Sequence, residues 1–147
     1  MPGESCRVGY RHAMDAVPGS VWRTLADFGS LLSWVAGGDE GRIELSGEGI
    51  GMTRDLWLPS VGRVQHRLDV LDEAGRCLTY SLAEGRPLGM RSYSVTVSVE
   101  AAGSGCTLAW QGAFVPEPGA DSDAMAENLR RAYVDMSRRL DVLLRAA

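Results

Sequence analysis

The sequence predicts an α+β domain in which a seven-stranded, curved antiparallel sheet wraps around one long C-terminal helix, with two short helices after the first strand. Three observations support this prediction. An alternating apolar run opens the chain, alternating runs punctuated by glycine fill residues 37–118, and a helical pattern covers about 122–146. The apolar stripe of that last helix must be buried against one sheet face, which leaves a hollow for a small molecule.

Length and composition indicate a single domain over residues 1–147, with 45% hydrophobic and 23% charged residues. All 15 basic residues are arginine, which excludes lysine Schiff-base chemistry. The net charge of −4 and the lack of a basic arm argue against nucleic-acid binding. No apolar stretch approaches the roughly 18 residues of a membrane helix, and the N-terminus lacks a signal-peptide core, so we expect a cytoplasmic protein without a membrane span.

The first strand is predicted over residues 5–14, where apolar side chains alternate with polar ones. Pro18 fits the first position of a helix, where its missing N–H costs least. Gly29 and Ser30 then separate a second short helix that carries Trp34. The face of the first strand expected to be buried consists of Cys6, Val8, Tyr10, His12 and Met14.

Six more strands are predicted between glycine- or proline-bearing turns. They lie near residues 42–47, 51–58, 63–71, 76–83, 91–101 and 105–115. The last helix begins near Ser122, with Asp121 and Asp123 supplying a cap and first-turn acidity. At 1.5 Å per residue it is about 37 Å long and can cross the whole sheet. Its apolar stripe consists of Met125, Leu129, Ala132, Tyr133, Met136, Leu140, Leu143 and Leu144.

Several segments follow one another in an order and spacing typical of a known family. They are Pro18–Trp22, Gly47–Arg54, Val64–Glu73, Leu78–Leu82, Arg91–Val95 and Leu108–Trp110. Together they resemble the START-like helix-grip superfamily (SRPBCC; polyketide cyclase/dehydrase and lipid-transport type) over about residues 5–145. The resemblance implies a helix-grip fold, an internal hydrophobic ligand cavity and no cofactor.

The resemblance also implies which positions line the cavity. In the family's plant hormone receptors a pocket glutamate stands at the position of His66, and the matches to Leu56, Leu58, Tyr80 and Tyr93 line the cavity. This chain has histidine there and no lysine to pair with a ligand carboxylate, which argues against a hormone-receptor role. The family's cyclases hold polyketide carbonyls with pocket arginines, a role that would fall to Arg54.

The alternation of side chains along the strands indicates three catalytic candidates on the cavity side: His66, Arg54 and Tyr93. His66 shares parity with Val64, Leu68 and Val70, so it should face the cavity, where a histidine can transfer protons near neutral pH. The alternative is a pocket histidine that only shapes a ligand site. Arg54 would need an acceptor, either a ligand oxygen or a carboxylate at the cavity mouth.

The other expected ligand contacts are apolar or aromatic and come from several elements. They are Trp34, Leu56, Leu58, Tyr80, Trp110, Phe114, Leu129, Tyr133 and Met136. Trp57 has the opposite parity and should lie outside the cavity, while His12 is expected to be structural. No metal site is expected, because the spacing of histidines and carboxylates supports none, and the three cysteines are expected to be reduced thiols.

The leading hypothesis is cofactor-free cyclisation or dehydration of a polyketide-like intermediate in a mainly apolar pocket of roughly 300–1,000 Å³. His66 would move the proton, Arg54 would stabilise an enolate oxygen, and a tyrosine would orient a carbonyl. The expected partners are a hydrophobic small molecule and, as a further candidate, an acyl carrier protein, with the chain as monomer or homodimer. The alternatives are a non-catalytic carrier of a lipid-like ligand and an accessory protein that dimerises through Trp57.

Overall fold

The computed structural model describes residues 5–59, 61–85 and 87–146. Its strands are β1 (Cys6–Met14), β2 (Arg42–Ser46), β3 (Thr53–Leu58), β4 (Gly62–Asp72), β5 (Cys77–Glu84), β6 (Met90–Ala102) and β7 (Gly105–Pro116). Its helices are α1 (Pro18–Ala26) and α2 (Ser122–Ala146), with single 3₁₀ turns at Leu31–Ser33, Gly38–Glu40 and Pro87–Gly89. The predicted class is confirmed, and the second short helix is a 3₁₀ turn.

The seven strands form one curved antiparallel sheet in the order β1-β7-β6-β5-β4-β3-β2. Every neighbouring pair is antiparallel, so the chain runs as a meander from β2 to β7, and β1 joins at the far edge beside β7. The concave face of the sheet carries the apolar side chains that alternation predicted. In β6, for example, Tyr93, Val95, Val97 and Val99 are buried while the residues between them are not.

Helix α2 closes the concave side by packing against β1, β7 and α1. Its buried stripe includes Met125, Leu129, Tyr133 and Leu140, with Met136 partly buried beside them. The buried stripe also contains one polar residue, Ser137, whose side chain is fully buried. Within the residues that the structure describes, neither helix is both long and apolar enough to cross a membrane.

Helix α1 begins at Pro18 and buries Val21, Trp22 and Leu25 against the same core. The Trp22 indole Nε1 donates a 2.6 Å hydrogen bond to Glu73, in the turn between β4 and β5. This bond ties the middle of α1 to the turn that connects β4 and β5.

The pairing of β4 with β5 contains two register irregularities, one between Gln65 and His66 and one between Leu68 and Val70. The second of them contradicts the sequence prediction for β4. Leu68 pairs with Tyr80 and Val70 pairs with Thr79, so the strand contains an irregularity of one residue between Leu68 and Val70. An extra residue reverses the parity of everything after it. The sequence prediction that Val70 shares the face of His66 is therefore wrong. Val70 is 45% exposed, and Leu71 packs against the core in its place.

Candidate functional site

Three polar side chains from adjacent strands meet on the concave face of the sheet. Arg54 on β3 pairs directly with His66 on β4, and Tyr80 lies on β5. The alternation of β3 turns Arg54 inward with Leu56 and Leu58, and only 3% of Arg54 is exposed. The sequence prediction that these three residues share one face therefore agrees with the structure.

The Arg54 guanidinium is held by two hydrogen bonds and by two neighbouring aromatic rings. Its Nε donates to Nδ1 of His66 at 3.2 Å, and its Nη1 donates to the carbonyl oxygen of Phe28 at 3.1 Å. The guanidinium carbon lies 3.9 Å from the ring centre of Phe28 and 4.6 Å from that of Tyr80. The rings supply cation–π attraction, so the charge is packed firmly in place.

No described carboxylate contacts Arg54. The neighbouring Asp55 lies on the other face of β3 and bonds to Arg63 at 2.6 Å. Burial lowers the pKa of Arg54 to about 10, which still leaves a full cation at neutral pH. The alternative of a carboxylate salt bridge is therefore not found among the described residues, and Arg54 is a buried charge held only by neutral groups.

The state of His66 follows from its contact with Arg54. Burial and the guanidinium charge lower the pKa of His66 well below its usual value, so the ring is neutral at pH 7. A guanidinium can only donate, so Nδ1 must be the accepting nitrogen and the ring proton lies on Nε2. His66 can thus donate a hydrogen bond from Nε2, and Nδ1 is not free to act as a base.

A second polar pair joins the sheet to α2. The hydroxyls of Tyr93 and Tyr133 lie 2.5 Å apart, and both residues are buried. Burial raises the pKa of each hydroxyl, so both remain phenols at neutral pH. The ring of Tyr133 stacks on Trp110 at 4.8 Å, and Trp110 Nε1 donates to Ser137 at 2.8 Å.

Gly112 on β7 makes room for this pair. A Cβ on Gly112 would overlap the Tyr133 hydroxyl and would lie 3.2 Å from Val8. Sequence reasoning missed Gly112, Ser137 and Phe28, because each acts through a tertiary contact. The available signals were a glycine inside a strand and a serine in an apolar helix stripe.

The two polar groups lie within electrostatic reach of each other. Burial raises the pKa of Tyr80, and the charge of Arg54 opposes the increase at both Tyr80 and Tyr93. Polar side chains from β3, β4, β5, β6 and α2 therefore lie near one another inside an apolar shell. The arrangement can bind and polarise an oxygen atom, because the positive charge and the N–H and O–H groups lie in a low-dielectric environment.

The remaining predicted contacts form the apolar surroundings of this group. Trp34 is buried, with its ring centre 6.4 Å from that of Trp110. The other predicted wall residues are Leu56, Leu58, Phe114 and Leu129, which are buried, and Met136, which is partly buried. Burial agrees with an apolar environment for all of them, and their contact with a ligand stays a prediction.

Two open recesses reach predicted site residues from the surface. One of about 280 Å³ is lined by Leu82, Tyr93 and Phe114 together with serine side chains. It lies where β5 and β6, paired as far as Ser81 and Ser94, separate from each other. The other, of about 480 Å³, lies beside Trp110 at the β1 edge.

The described contacts of Arg54 include neither Trp57, which was expected outside the cavity, nor His12, which was expected to be structural. Trp57 lies on the outer face of β3 with the Arg42 guanidinium 4.4 Å from its ring centre. His12 Nδ1 shares a 2.8 Å hydrogen bond with the Tyr10 hydroxyl. Its Nε2 lies 3.9 Å from a carboxylate oxygen of Asp141 on α2. In the part of the chain that the structure describes, no three metal-ligating side chains converge, and all three cysteines are free thiols.

Comparison with known families finds one match that spans nearly the whole chain. The family model described as "Polyketide cyclase / dehydrase and lipid transport" matches residues 5–145. A comparison with curated protein sequences finds no match.

Solved structures show the same fold at low sequence identity. The protein XoxI from Bacillus cereus is 22% identical, with a TM-score of 0.82 and 95% of each chain covered. Ara h 8.0201 is 17% identical, with a TM-score of 0.79, covering 98% of this chain and 100% of that one. Norcoclaurine synthase from Thalictrum flavum, solved with dopamine and hydroxybenzaldehyde, is 16% identical, with a TM-score of 0.73 over 96% of this chain and 87% of its own.

Proposed function

Because the chain belongs to the polyketide cyclase/dehydrase and lipid transport family, we propose that it binds a hydrophobic, oxygen-bearing small molecule and catalyses a cofactor-free enolisation step within it. Such a step underlies aldol-type cyclisation and dehydration. The observation that supports this most strongly is the buried Arg54 guanidinium, which contacts neutral groups only among the described residues.

In this proposal Arg54 and His66 hold the oxygen atom on which charge develops. When a water molecule takes a proton from the carbon next to a carbonyl, the C–H electron pair moves into the new C=C bond and negative charge reaches the oxygen. Arg54 stabilises that charge directly, and the neutral His66 donates to it from Nε2. Preorganised donors are effective at this task because they need not reorient during the reaction.

The tyrosines have a separate role in the proposal. Tyr93 is held by Tyr133, and Tyr133 is fixed by its stacking on Trp110. A buried phenol with a raised pKa donates a hydrogen bond and does not accept a proton. With Tyr133 as the donor in that pair, the Tyr93 O–H is left to donate to a second oxygen of the ligand, and Tyr93 is not a base.

A non-catalytic carrier is the second candidate, and one observation favours it. The described residues around Arg54 include no carboxylate, and Nδ1 of His66 is occupied, so the described part of the site offers no evident base. A carrier would bind the same ligand through the same donors without exchanging its protons. The two candidates therefore differ in one measurable step.

Deuterium exchange into 2-tetralone separates these candidates, because this apolar ketone exchanges its α-protons only through the enolate or enol. We expect the wild-type protein in D₂O to accelerate exchange above buffer, as followed by ¹H NMR. Removing one oxyanion donor should lower the rate by on the order of 10²-fold, as at other oxyanion sites. His66→Phe is the test variant, and His12→Phe is the matched control at the chain's other histidine. Binding of 2-tetralone without exchange would favour the carrier, and no binding would contradict both.

A further inference from the structure

We infer that the ligand of this site binds as an oxygen anion with two adjacent oxygens on one planar group, such as a carboxylate or the enolate of a 1,3-dicarbonyl. The inference rests on the function proposed above and adds the charge and shape of the contacting group. It follows from the contacts of Arg54, which is 3% exposed and whose described neighbours are His66, the Phe28 carbonyl and Tyr80.

The groups that face Arg54 from each packed element carry no negative charge. His66 on β4 is neutral and donates nothing to Arg54. Burial raises the hydroxyl pKa of Tyr80 on β5, Tyr93 on β6 and Tyr133 on α2, so none is a phenolate at neutral pH. The described part of the site therefore carries one uncompensated positive charge.

A buried charge without a partner is costly. Transfer of an ion into a protein interior costs several kcal/mol even after relaxation, and buried charges in proteins are normally paired. Cation–π contact with the rings of Phe28 and Tyr80 offsets a part of that cost. An anionic ligand would supply the remaining compensation, which explains why the charge is retained in an otherwise apolar region.

The number of free donors on Arg54 favours an anion with two oxygens over one with a single oxygen. A guanidinium has five N–H donors in a planar fork, and the described acceptors are a ring nitrogen, a carbonyl oxygen and the Tyr80 hydroxyl. At least two N–H groups therefore remain for a ligand. Paired oxygens on a planar anion match two parallel N–H groups of arginine better than a single carbonyl oxygen does.

Two fluorescent probes with the same ring system test the charge. The anionic probe is 8-anilinonaphthalene-1-sulfonate, and the neutral probe is N-phenyl-1-naphthylamine, which lacks the sulfonate. We expect the wild type to bind the anionic probe at least about tenfold more tightly, a difference of about 1.4 kcal/mol. Arg54→Met, which removes the charge and keeps an apolar stem, should abolish that preference. Arg42→Met is the matched control, because Arg42 also stacks on an aromatic ring but lies on the outer face.

The outcomes distinguish this inference from the proposed function. Equal affinity for both probes in the wild type, or an anion preference that survives in Arg54→Met, would contradict the inference. Either result would still be compatible with the proposed binding of a hydrophobic ligand. Binding of neither probe would contradict the proposed function itself, and the inference with it. Loss of the anion preference in Arg54→Met together with its retention in Arg42→Met would support the inference.

A second measurement needs no variant, which matters if Arg54→Met fails to fold. The wild-type protein is titrated with 2-naphthoate and with 2-acetonaphthone, which place a carboxylate and a methyl ketone on the same ring. Isothermal titration calorimetry should show tighter binding of 2-naphthoate, again by at least about tenfold. Equal binding of the two compounds would overturn the inference, whatever the behaviour of the variant.

Discussion

The hydroxyl of Tyr133 on α2 occupies the space where a side chain on Gly112 of β7 would begin. The same hydroxyl lies 2.5 Å from that of Tyr93 on β6. One glycine therefore allows the long helix to place a phenol directly on the sheet, and the position of Tyr93 depends on it.

Replacing this glycine should disturb the helix–sheet contact. We expect Gly112→Ala to lower the free energy of unfolding by about 1–3 kcal/mol, the usual range for overpacking a core. Adding Tyr133→Phe removes the oxygen that the new methyl group meets, so the double variant should lose less stability than the two single losses combined. Urea denaturation of the four proteins measures this, and strictly additive losses would show that the contact is not the cause.

The two tyrosine hydroxyls should be energetically coupled. Tyr93→Phe or Tyr133→Phe alone leaves a buried hydroxyl without its partner, which typically costs about 1–3 kcal/mol. The double phenylalanine variant leaves no such group, so it should be little less stable than either single variant. A double-mutant cycle by urea denaturation gives the coupling energy, and a value near zero would contradict the hydrogen bond.

His66 should be neutral, with its proton on Nε2. This follows from the Arg54 Nε–H, which can only donate to Nδ1. Long-range ¹H–¹⁵N correlation spectra of the wild type at neutral pH should show the Nε2–H tautomer for His66, with assignment from His66→Phe. A doubly protonated ring, or the Nδ1–H tautomer, would contradict the proposed contact.

The lowered pKa of His66 predicts a pH-dependent stability. Below about pH 6.5 the unfolded chain takes up a proton at this residue that the folded chain does not. The free energy of unfolding should therefore fall as the pH decreases from about 6.5 towards the folded pKa, with a limiting slope of about 1.4 kcal/mol per pH unit, and should not change through this group above 6.5.

The comparison that tests this dependence is wild type against His66→Phe. Urea denaturation at several pH values between about 7.5 and 5.5 covers the window in which the unfolded state gains the proton. The wild type should lose more stability over this range than the variant, so the two curves should converge. Parallel curves would show that His66 titrates alike in both states.

The fold was predictable because its determinants are local. Alternation in β6 and the stepped apolar stripe of α2 are visible in short stretches of sequence, and they fix which face each element buries. The position of Val70 was not predictable, because a one-residue irregularity in β4 leaves no mark in composition and reverses the parity after it.

The shared face of three candidate residues was predictable, and the contacts that set their chemistry were not. Parity placed Arg54, His66 and Tyr80 on one face, and the structure brings them into contact. The role first assigned to His66, moving a proton, depends on whether Nδ1 is free, and that depends on the cross-strand register with β3. The Phe28 carbonyl that fixes Arg54 comes from the loop after α1, a contact that only the tertiary structure reveals.

The central claim is that Arg54 and His66 together hold the oxygen of a hydrophobic ligand. A crystal structure of the wild-type protein with 2-tetralone tests it most directly. We predict that the ketone oxygen lies within hydrogen-bonding distance, about 3.2 Å or less, of an Arg54 Nη atom or of His66 Nε2. A ketone bound elsewhere, with its oxygen touching neither side chain, would contradict the account.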